Sequence, residues 1–482
     1  MLLASRTTFA QAAIVQGIVR SQSGRPIAGA LLLLNADRDS TRSNSDGRFR
    51  ISVAVSSATR LNARAPGFAP ASVNIPPMGA GTVRDVTLVL SPLAQLAVSQ
   101  IIASRERPLL NTSDAATGGA VEATELRALP TASRDPLTLA FNIPGVAQST
   151  GFFGDAPKLT LNGINALYTQ YTVDGLENTE GFLGGPRVEL PVGALARLNV
   201  LVNSYTTALG RSASGVVDEE TRAGGERWSG DLVVGNRPGV PLDARAPIVP
   251  SSSTPADFRR AENGFQRTQL AASGGGPIAL NRTYAFGALE FTDENEDRVT
   301  STARATFLGR EARRTWKSFA RLDHGWTPNQ STTLRFAGSH VARAGLGSGI
   351  VAPEADITTI RSGTITALTH RSAWQSGRNS NEAFLQFGTF RWNFPPTRSN
   401  LSTPQVTILD TDSIPIGVVG SSNFVFDEAE RQLQARDIVA LAIGTRHTVS
   451  FGADMVASRF TLRAAGTNPV GAYEVINHGD IP

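Results

Sequence analysis

The chain has no cysteine, three methionines, and only two lysines, Lys158 and Lys317, among its 45 basic residues. The missing thiols exclude disulfide frameworks, thiolate metal sites and cysteine nucleophiles together. Neither lysine closes a Gly-x-x-x-x-Gly-Lys loop, so a phosphate cradle of that type is excluded as well. There is no Gly-x-Ser-x-Gly elbow and no His-Glu-x-x-His pair. The histidines at 324, 340, 370, 447 and 478 are too dispersed for a metal motif. No run of about 18 apolar residues exists, which excludes a transmembrane helix. The charge balance, 45 basic against 41 acidic residues, contains no dense basic run interleaved with aromatics, so no nucleic-acid partner is expected. The chemistry-bearing constellations of an enzyme are absent, and neither a cofactor nor a bound metal is expected.

What remains is a long β-rich chain. Its 482 residues allow two to four domains of ~100–200 residues each. Residues 1–13 end in the small-x-small tripeptide Ala10-Gln11-Ala12, which reads either as the remnant of a secretory signal or as a tail. From 14 to 92 short strands alternate with turn signals: Ile14–Arg20, Ala30–Leu34, Arg48–Val53 after the turn Asn44-Ser-Asp-Gly, Arg60–Arg64 and Thr82–Leu90. Strands at this regular short spacing predict an all-β sandwich. Glu122–Leu129 predicts a brief helix stopped by Pro130. Leu137, Ala140 and Phe141, at i, i+3 and i+4, predict a second one before Pro144.

After residue 226 the pattern becomes period-two alternation. Trp316, Ser318, Ala320, Leu322, His324 and Trp326 share one face of a strand, with Lys317, Arg321 and Asp323 on the other. Similar stretches follow at Thr333–Arg343, Thr364–Gln375, Glu382–Phe394, Gln432–Ile443 and Thr448–Leu462. Strands of ~10 residues, joined alternately by short turns and long loops, are a weak signature of an outer-membrane barrel, and the period alone does not separate it from a soluble β-sandwich. The long loops are expected at 294–313, 344–361 and 396–430. The acidic run Asp293–Arg298 then reads as solvated loop, lacking the glycine and spacing of a calcium site. Trp316, Trp326 and Trp392 suit interfacial girdles.

Several strings also match known families. Gly17-x-Val19, Gly24-Arg-Pro-Ile-Ala-Gly-Ala30, Ser45-Asp-Gly-Arg-Phe49 and Ala65-Pro-Gly-Phe68 resemble the carboxypeptidase-regulatory-like domain, a transthyretin-like sandwich. Leu161-Asn-Gly-Ile-Asn165, Tyr171-Thr-Val-Asp-Gly-Leu-Glu-Asn178 and Asn203-Ser-Tyr…Gly210-Arg-Ser resemble the plug of TonB-dependent outer-membrane receptors, in the Oar-like branch. Thr207-Ala208 and the acidic triplet Asp218-Glu219-Glu220 depart from that pattern.

The resemblance implies a mainly β chain: a sandwich at 14–92, a linker at 93–104, an α+β plug at 105–225, and part of a transmembrane antiparallel barrel at 226–482. A plugged transporter needs about 22 strands, whereas 226–482 has room for eight to twelve, so the barrel is expected to be incomplete. In such receptors a segment ahead of the plug pairs strand to strand with the TonB-type energy-coupling protein. Leu96, Val98, Ile101, Ile102, Ala103 and Ser104 are the candidates, the alternative being a buried strand. Ligand contacts are expected at the plug apex, on Asn162, Asn165, Asp174, Glu177, Asn178 and Phe182. The implied function is energised uptake of an extracellular oligosaccharide, peptide or metal chelate. The barrel would lie in outer-membrane lipid, with plug and sandwich on the periplasmic side. The competing reading is a surface adhesin that transports nothing.

Overall fold

The computed structural model describes the chain from Ala12 to His478, apart from 22–23, 35–38, 55–58, 66–67, 69–70, 80, 91–116, 129–133, 150–158, 204–210, 240–246, 249–258, 261–263, 280–281, 302–305, 328, 346–349, 376–378, 398–401, 444–446 and 467. The candidate coupling residues 96–104 lie outside the described residues.

Seven strands build the N-terminal sandwich: β1 (Ala12–Ser21), β2 (Leu31–Leu34), β3 (Asp39–Arg42), β4 (Arg48–Ala54), β5 (Thr59–Arg64), β6 (Ala71–Ile75) and β7 (Val83–Leu90). One sheet runs β4-β1-β7 and the other β3-β2-β5-β6. Alternate residues from both inner faces, among them Val15, Leu32, Phe49, Leu61 and Leu88, form one apolar core. The two strands without an obvious sequence signal, β3 and β6, are the edges of the four-stranded sheet. Edge strands bury less, so Asp39-Ser-Thr-Arg carries no apolar alternation. Gly17 pairs with Val86 in the parallel β1·β7 ladder. A Cβ at Gly17 would meet the Val86 carbonyl oxygen at 1.7 Å, which accounts physically for that glycine.

The plug is a five-stranded sheet of order β12-β11-β14-β13-β8, made of β8 (Thr117–Glu122), β11 (Thr169–Val173), β12 (Leu176–Glu177), β13 (Leu195–Asn203) and β14 (Gly215–Thr221). A small hairpin, β9 (Val146–Gln148) with β10 (Leu159–Leu161), sits beside it. Helix α1 (Ala123–Ala128) forms where the sequence places it. The second helix is different: Pro136–Asn142 is 3-10, N-capped by Asp135, and Phe141 points outward. Three residues per turn align Leu137 with Ala140 but rotate Phe141 off that face.

The wall is a nine-stranded antiparallel sheet. It comprises β15 (Ser229–Arg237), β18 (Gln266–Ala279), β19 (Thr283–Ser301), β20 (Thr306–Thr327), β21 (Gln330–Ala344), β22 (Thr358–Trp374), β23 (Asn379–Asn393), β26 (Phe424–Ile443) and β27 (His447–Gly466), hydrogen-bonded in that order. Two short strands, β16 (Pro247–Ile248) and β17 (Arg259–Arg260), pair in the β15–β18 connection. A further small sheet joins β24 (Gln405–Leu409), β25 (Pro415–Gly420) and β28 (Ala472–Ile476). Short connections lie at one end of the wall, after Thr327, Trp374 and Ile443, and most long connections at the other.

Expectation and structure part company in three places. The stretch 294–313 is not a long loop, because β19 and β20 run in register out to Ser301↔Thr306. The acidic run is held in that ladder by arginines: Arg267 bonds Glu294 at 2.7 Å and Arg314 bonds Asp293 at 2.9 Å. Within 396–430 the chain forms β24 and β25 and begins β26. Trp392 faces inward and is fully buried beside Phe390, Phe394 and Phe426, so it belongs to no girdle.

The two faces of the wall invert the usual rule for water-soluble proteins. Leu289, Leu334, Phe336, Leu368, Leu385, Phe387 and Leu433 are exposed on the outside, while Lys317, Arg335, Glu382, Glu430 and Arg436 are buried within. Trp316 and Trp326 are exposed ten positions apart on β20. That spacing is about 33 Å along a strand, or roughly 25 Å along the normal at ~40° tilt, the height of an outer-membrane apolar band. No helix among the described residues is long and apolar enough to cross a membrane.

The tight β1·β7 approach gives a stability prediction. Gly17→Ala should destabilise the sandwich by about 2–3 kcal/mol, the cost of forcing two packed strands apart. Hydrogen exchange of β1 and β7 amides should accelerate accordingly, and unchanged protection would contradict the packing argument.

Candidate functional site

The site is the interface between plug and wall, and it begins with a turn. β11 and β12 are joined by Asp174-Gly175, with φ of +49° and +78° at the two central residues. Positive φ at both positions makes a type I′ hairpin turn, which favours Asx-Gly. The Asp174 carboxylate accepts from the Thr221 backbone N–H at 2.8 Å and hydroxyl at 2.7 Å, and ion-pairs with Arg335 of β21. Arg335 also donates to the Val173 carbonyl at 3.0 Å, and Arg436 of β26 to that of Gly175 at 2.9 Å. Arg321 of β20 reaches the Thr221 hydroxyl at 2.9 Å. Two wall guanidiniums therefore hold the plug hairpin tip, and a third holds the end of β14 that bonds Asp174.

A polar ladder continues from this tip toward the long-loop end. Gln386 donates to the Glu177 carbonyl at 2.7 Å, and the Glu177 N–H donates to Gln434 at 2.9 Å. Plug Arg187, fully buried, meets Glu430 at 3.1 Å and Gln432 at 3.2 Å. Arg361 donates to the Pro186 carbonyl at 3.1 Å while lying over the rings of Phe390 and Trp392. On the opposite flank Lys317 sits 3.2 Å from Glu189 and 3.9 Å from Glu290, and Arg134 bonds Glu290 at 3.0 Å. Wall Gly363 lets the chain pass closely, since a Cβ there would meet the Arg187 carbonyl oxygen at 2.2 Å. An apolar patch between Val188, Leu190, Val192 and Ala194 and wall residues Phe286, Phe319 and Ile365 completes the seal.

Near the long-loop end a cleft of about 350 Å³ opens between plug and wall. Tyr168, Gln170, Glu177 and Glu180 line it from the plug, and Glu430 and Phe460 from β26 and β27. Of the six residues expected at a plug apex, Glu177 borders this cleft. Phe182 stands beside it, with its ring 6.0 Å from Phe426 and 5.9 Å from Phe460. Asp174 lies in the arginine-held turn instead. Asn178 is fully buried and braces Val188 through both its amide groups, at 2.9 and 3.1 Å. Asn162 sits in a turn at φ +52°, and Asn165 caps a short 3-10 helix by accepting from the Leu167 N–H at 3.0 Å. Among the described residues no three acidic or histidine side chains converge to hold a metal ion.

Sequence reasoning missed the wall partners, yet a signal existed. Glu428, Glu430, Gln432, Gln434 and Arg436 are polar at every second position of β26, and all five are buried. Five consecutive inward polar positions mark a strand that faces a polar neighbour rather than an apolar core.

Burial dominates the titration of the plug strand β14. It pushes Asp218 up to about 7, against hydrogen bonds from Thr172 and Gly175, and Glu219 up to about 8, against the pull of Lys317. Asp174 goes the other way: burial opposes its charge, but Arg335 and Arg321 hold it below the ordinary carboxylate range. Groups raised in the native state stabilise it at low pH, and that contribution fades as pH rises through the folded values. Exchange protection of β11, β13 and β14, corrected for intrinsic rates, should therefore fall between about pH 5 and pH 8. Asp218→Asn with Glu219→Gln should flatten that dependence, and protection that rises across the window would refute it.

Comparison with known proteins bears on this geometry. Residues 14–91 match the carboxypeptidase regulatory-like domain. A stretch of 175 residues, 36% of this chain and 16% of the relative, is 25% identical to the TonB-dependent transporter Oar of Myxococcus xanthus. Among solved structures, the outer membrane transporter YddB from Escherichia coli is similar at a TM-score of 0.53 and 12% identity, over 70% of this chain and 48% of that one. The siderophore receptor PirA from Acinetobacter baumannii is similar at 0.51 and 15% identity, over 71% and 48%. The region shared with these solved structures spans about half their length. The chain thus carries a carboxypeptidase regulatory-like domain, followed by a plug-and-wall fold similar to that of solved outer-membrane receptors and a stretch similar to the TonB-dependent transporter Oar.

Proposed function

We propose that this chain supplies the plug and the plug-lined wall of an energy-coupled outer-membrane transporter that takes up a small extracellular ligand. The observation that carries the proposal is the chemistry of the plug–wall interface. Much of the plug is held by guanidinium, carboxylate and amide groups whose partners water can replace, as at Asp174–Arg335, Arg187–Glu430 and Glu177–Gln434. A wall facing lipid has no such exchangeable contacts, so the plug is the part built to shift.

On this reading the short-turn end of the wall is periplasmic and the long-loop end extracellular, the usual disposition of outer-membrane barrels. The sandwich at 14–92 and plug at 105–225 then belong to the periplasmic approach and the lumen. Leu96, Val98, Ile101, Ile102, Ala103 and Ser104 supply the sequence on which a TonB-type coupling protein adds a strand. The cleft between Glu177, Glu180 and Glu430 is rich in acceptors, with Tyr168 and Phe460 as flat apolar surfaces. It suits a ligand presenting hydroxyl, amide or ammonium donors, as oligosaccharides and peptides do.

Binding of the coupling protein's C-terminal domain tests the proposal. The intact protein should bind that domain, and Ile101→Pro should weaken binding by about tenfold or more, because proline removes a main-chain donor from the added strand. If deletion of 96–104 leaves both binding and uptake intact, the chain does not transport by this route.

A further inference from the structure

We propose that Glu180 of the plug and Glu428 of the wall hold one proton between them, and that this shared proton fastens a plug loop and closes the cleft beside it. When the proton leaves to water, two carboxylates face each other and the loop is pushed off the wall.

The loop is short and internally braced. Thr179 and Pro186 form an antiparallel bridge, and the Glu180 N–H donates to the Gly185 carbonyl at 3.0 Å. Its tip rests on the wall, where the Gly181 N–H donates to Glu430 at 3.3 Å. Glu428 lies two positions before Glu430 on β26, on the same inward face. Glu180 and Glu428 are 2% and 0% exposed, and their carboxyls lie within hydrogen-bonding reach of each other.

An inventory of their four oxygens shows what is missing. One oxygen of Glu180 accepts from the Phe182 N–H at 3.0 Å. The other, and both oxygens of Glu428, accept from no N–H or hydroxyl group among the described residues. Across the ladders Glu428 is flanked by Trp392 on β23 and Leu462 on β27, neither of which carries charge. Two buried carboxylates that face each other without donors repel and stay desolvated. A single proton removes both penalties, because it turns one carboxyl into a donor for the other.

The surrounding charges call for one proton as well. Arg187 of the plug is taken up by Glu430. Arg361 of β22 is the cation that acts on both members of the pair, and it balances one negative charge. Glu177 and Arg211 complete the charged lining of the cleft that Glu180 borders. Burial pushes Glu180 above the ordinary carboxylate range, against the pull of the Phe182 N–H and of Arg361. A proton held more tightly in the closed state favours that state at low pH, and the advantage fades as pH rises through the closed-state value. Glu180 and Gly181 both line the cleft, so the cleft closes in acid and widens in base.

The test is hydrogen exchange of the Gly181 and Phe182 amides in the detergent-solubilised protein, because these amides bond Glu430 and Glu180. Corrected for intrinsic rates, their protection should fall between about pH 6 and pH 9, by up to about tenfold per pH unit for one proton. Glu428→Gln should remove the slope and keep the loop closed throughout, since its amide donates to Glu180 without titrating. Asp218→Asn with Glu219→Gln removes the titrating carboxyls of β14 and should leave the slope in place. A flat wild-type profile, an equal slope in Glu428→Gln, or a slope lost in the β14 variant would each overturn the shared proton. Infrared spectra of the wild-type protein need no variant to fold. They should lose one protonated-carboxyl band in step with the Gly181 and Phe182 amides, and the absence of a band with that titration would also overturn it.

Discussion

Charges turned inward from a strand wall have to be paired, and in this molecule the plug pairs several of them. Removing one partner of a buried ion pair leaves an uncompensated charge at a cost of several kcal/mol. The wall's inner face therefore depends on the plug, and the plug's position on the wall. Arg335 and Arg436 converge on one hairpin tip and Arg321 on the neighbouring Thr221, while Glu430 and Gln432 receive the buried Arg187. The outer face has the opposite requirement, with leucine and phenylalanine where a soluble sheet would place charge. One alternating pattern meets both requirements because successive side chains point to opposite faces.

Much of this architecture is legible in the chain itself. The sandwich announces itself through strands whose inner residues must be apolar, and it fades at β3 and β6, which bury few side chains. The wall strands are legible because alternation persists over long stretches. Their lengths are not, since the extension of β19 through Asp293-Glu-Asn-Glu-Asp is paired by arginines from neighbouring strands that local composition does not reveal. Trp392 misleads for a related reason. An aromatic near a strand end suits the membrane boundary on one face and an aromatic cluster on the other, and only register decides between them.

The site was less legible than the fold. Asp174-Gly175 and Asn178 stand out in sequence because turns and buried amides need particular residues, and the structure gives both a bracing role. The groups that meet them from the wall are up to 261 positions away, as with Gly175 and Arg436. Nothing local ties such pairs together. The trace they do leave is the run of polar residues at every second position of β26, which reads as a lumen wall once the strand is placed.

The order of the plug sheet, β12-β11-β14-β13-β8, puts its two ends to different mechanical use. β12 and its turn are fastened to the wall by arginines, whereas β8 is the far edge, paired with β13 alone. The Thr117↔Asn203 pair ends that ladder, so a pull on the chain ahead of Thr117 reaches β8 before the other plug strands. Bonds loaded one after another yield at far lower force than bonds loaded together. The plug sheet thus has a free edge on one side and a fastened edge on the other, with β8 at the first and the arginine-held turn at the second.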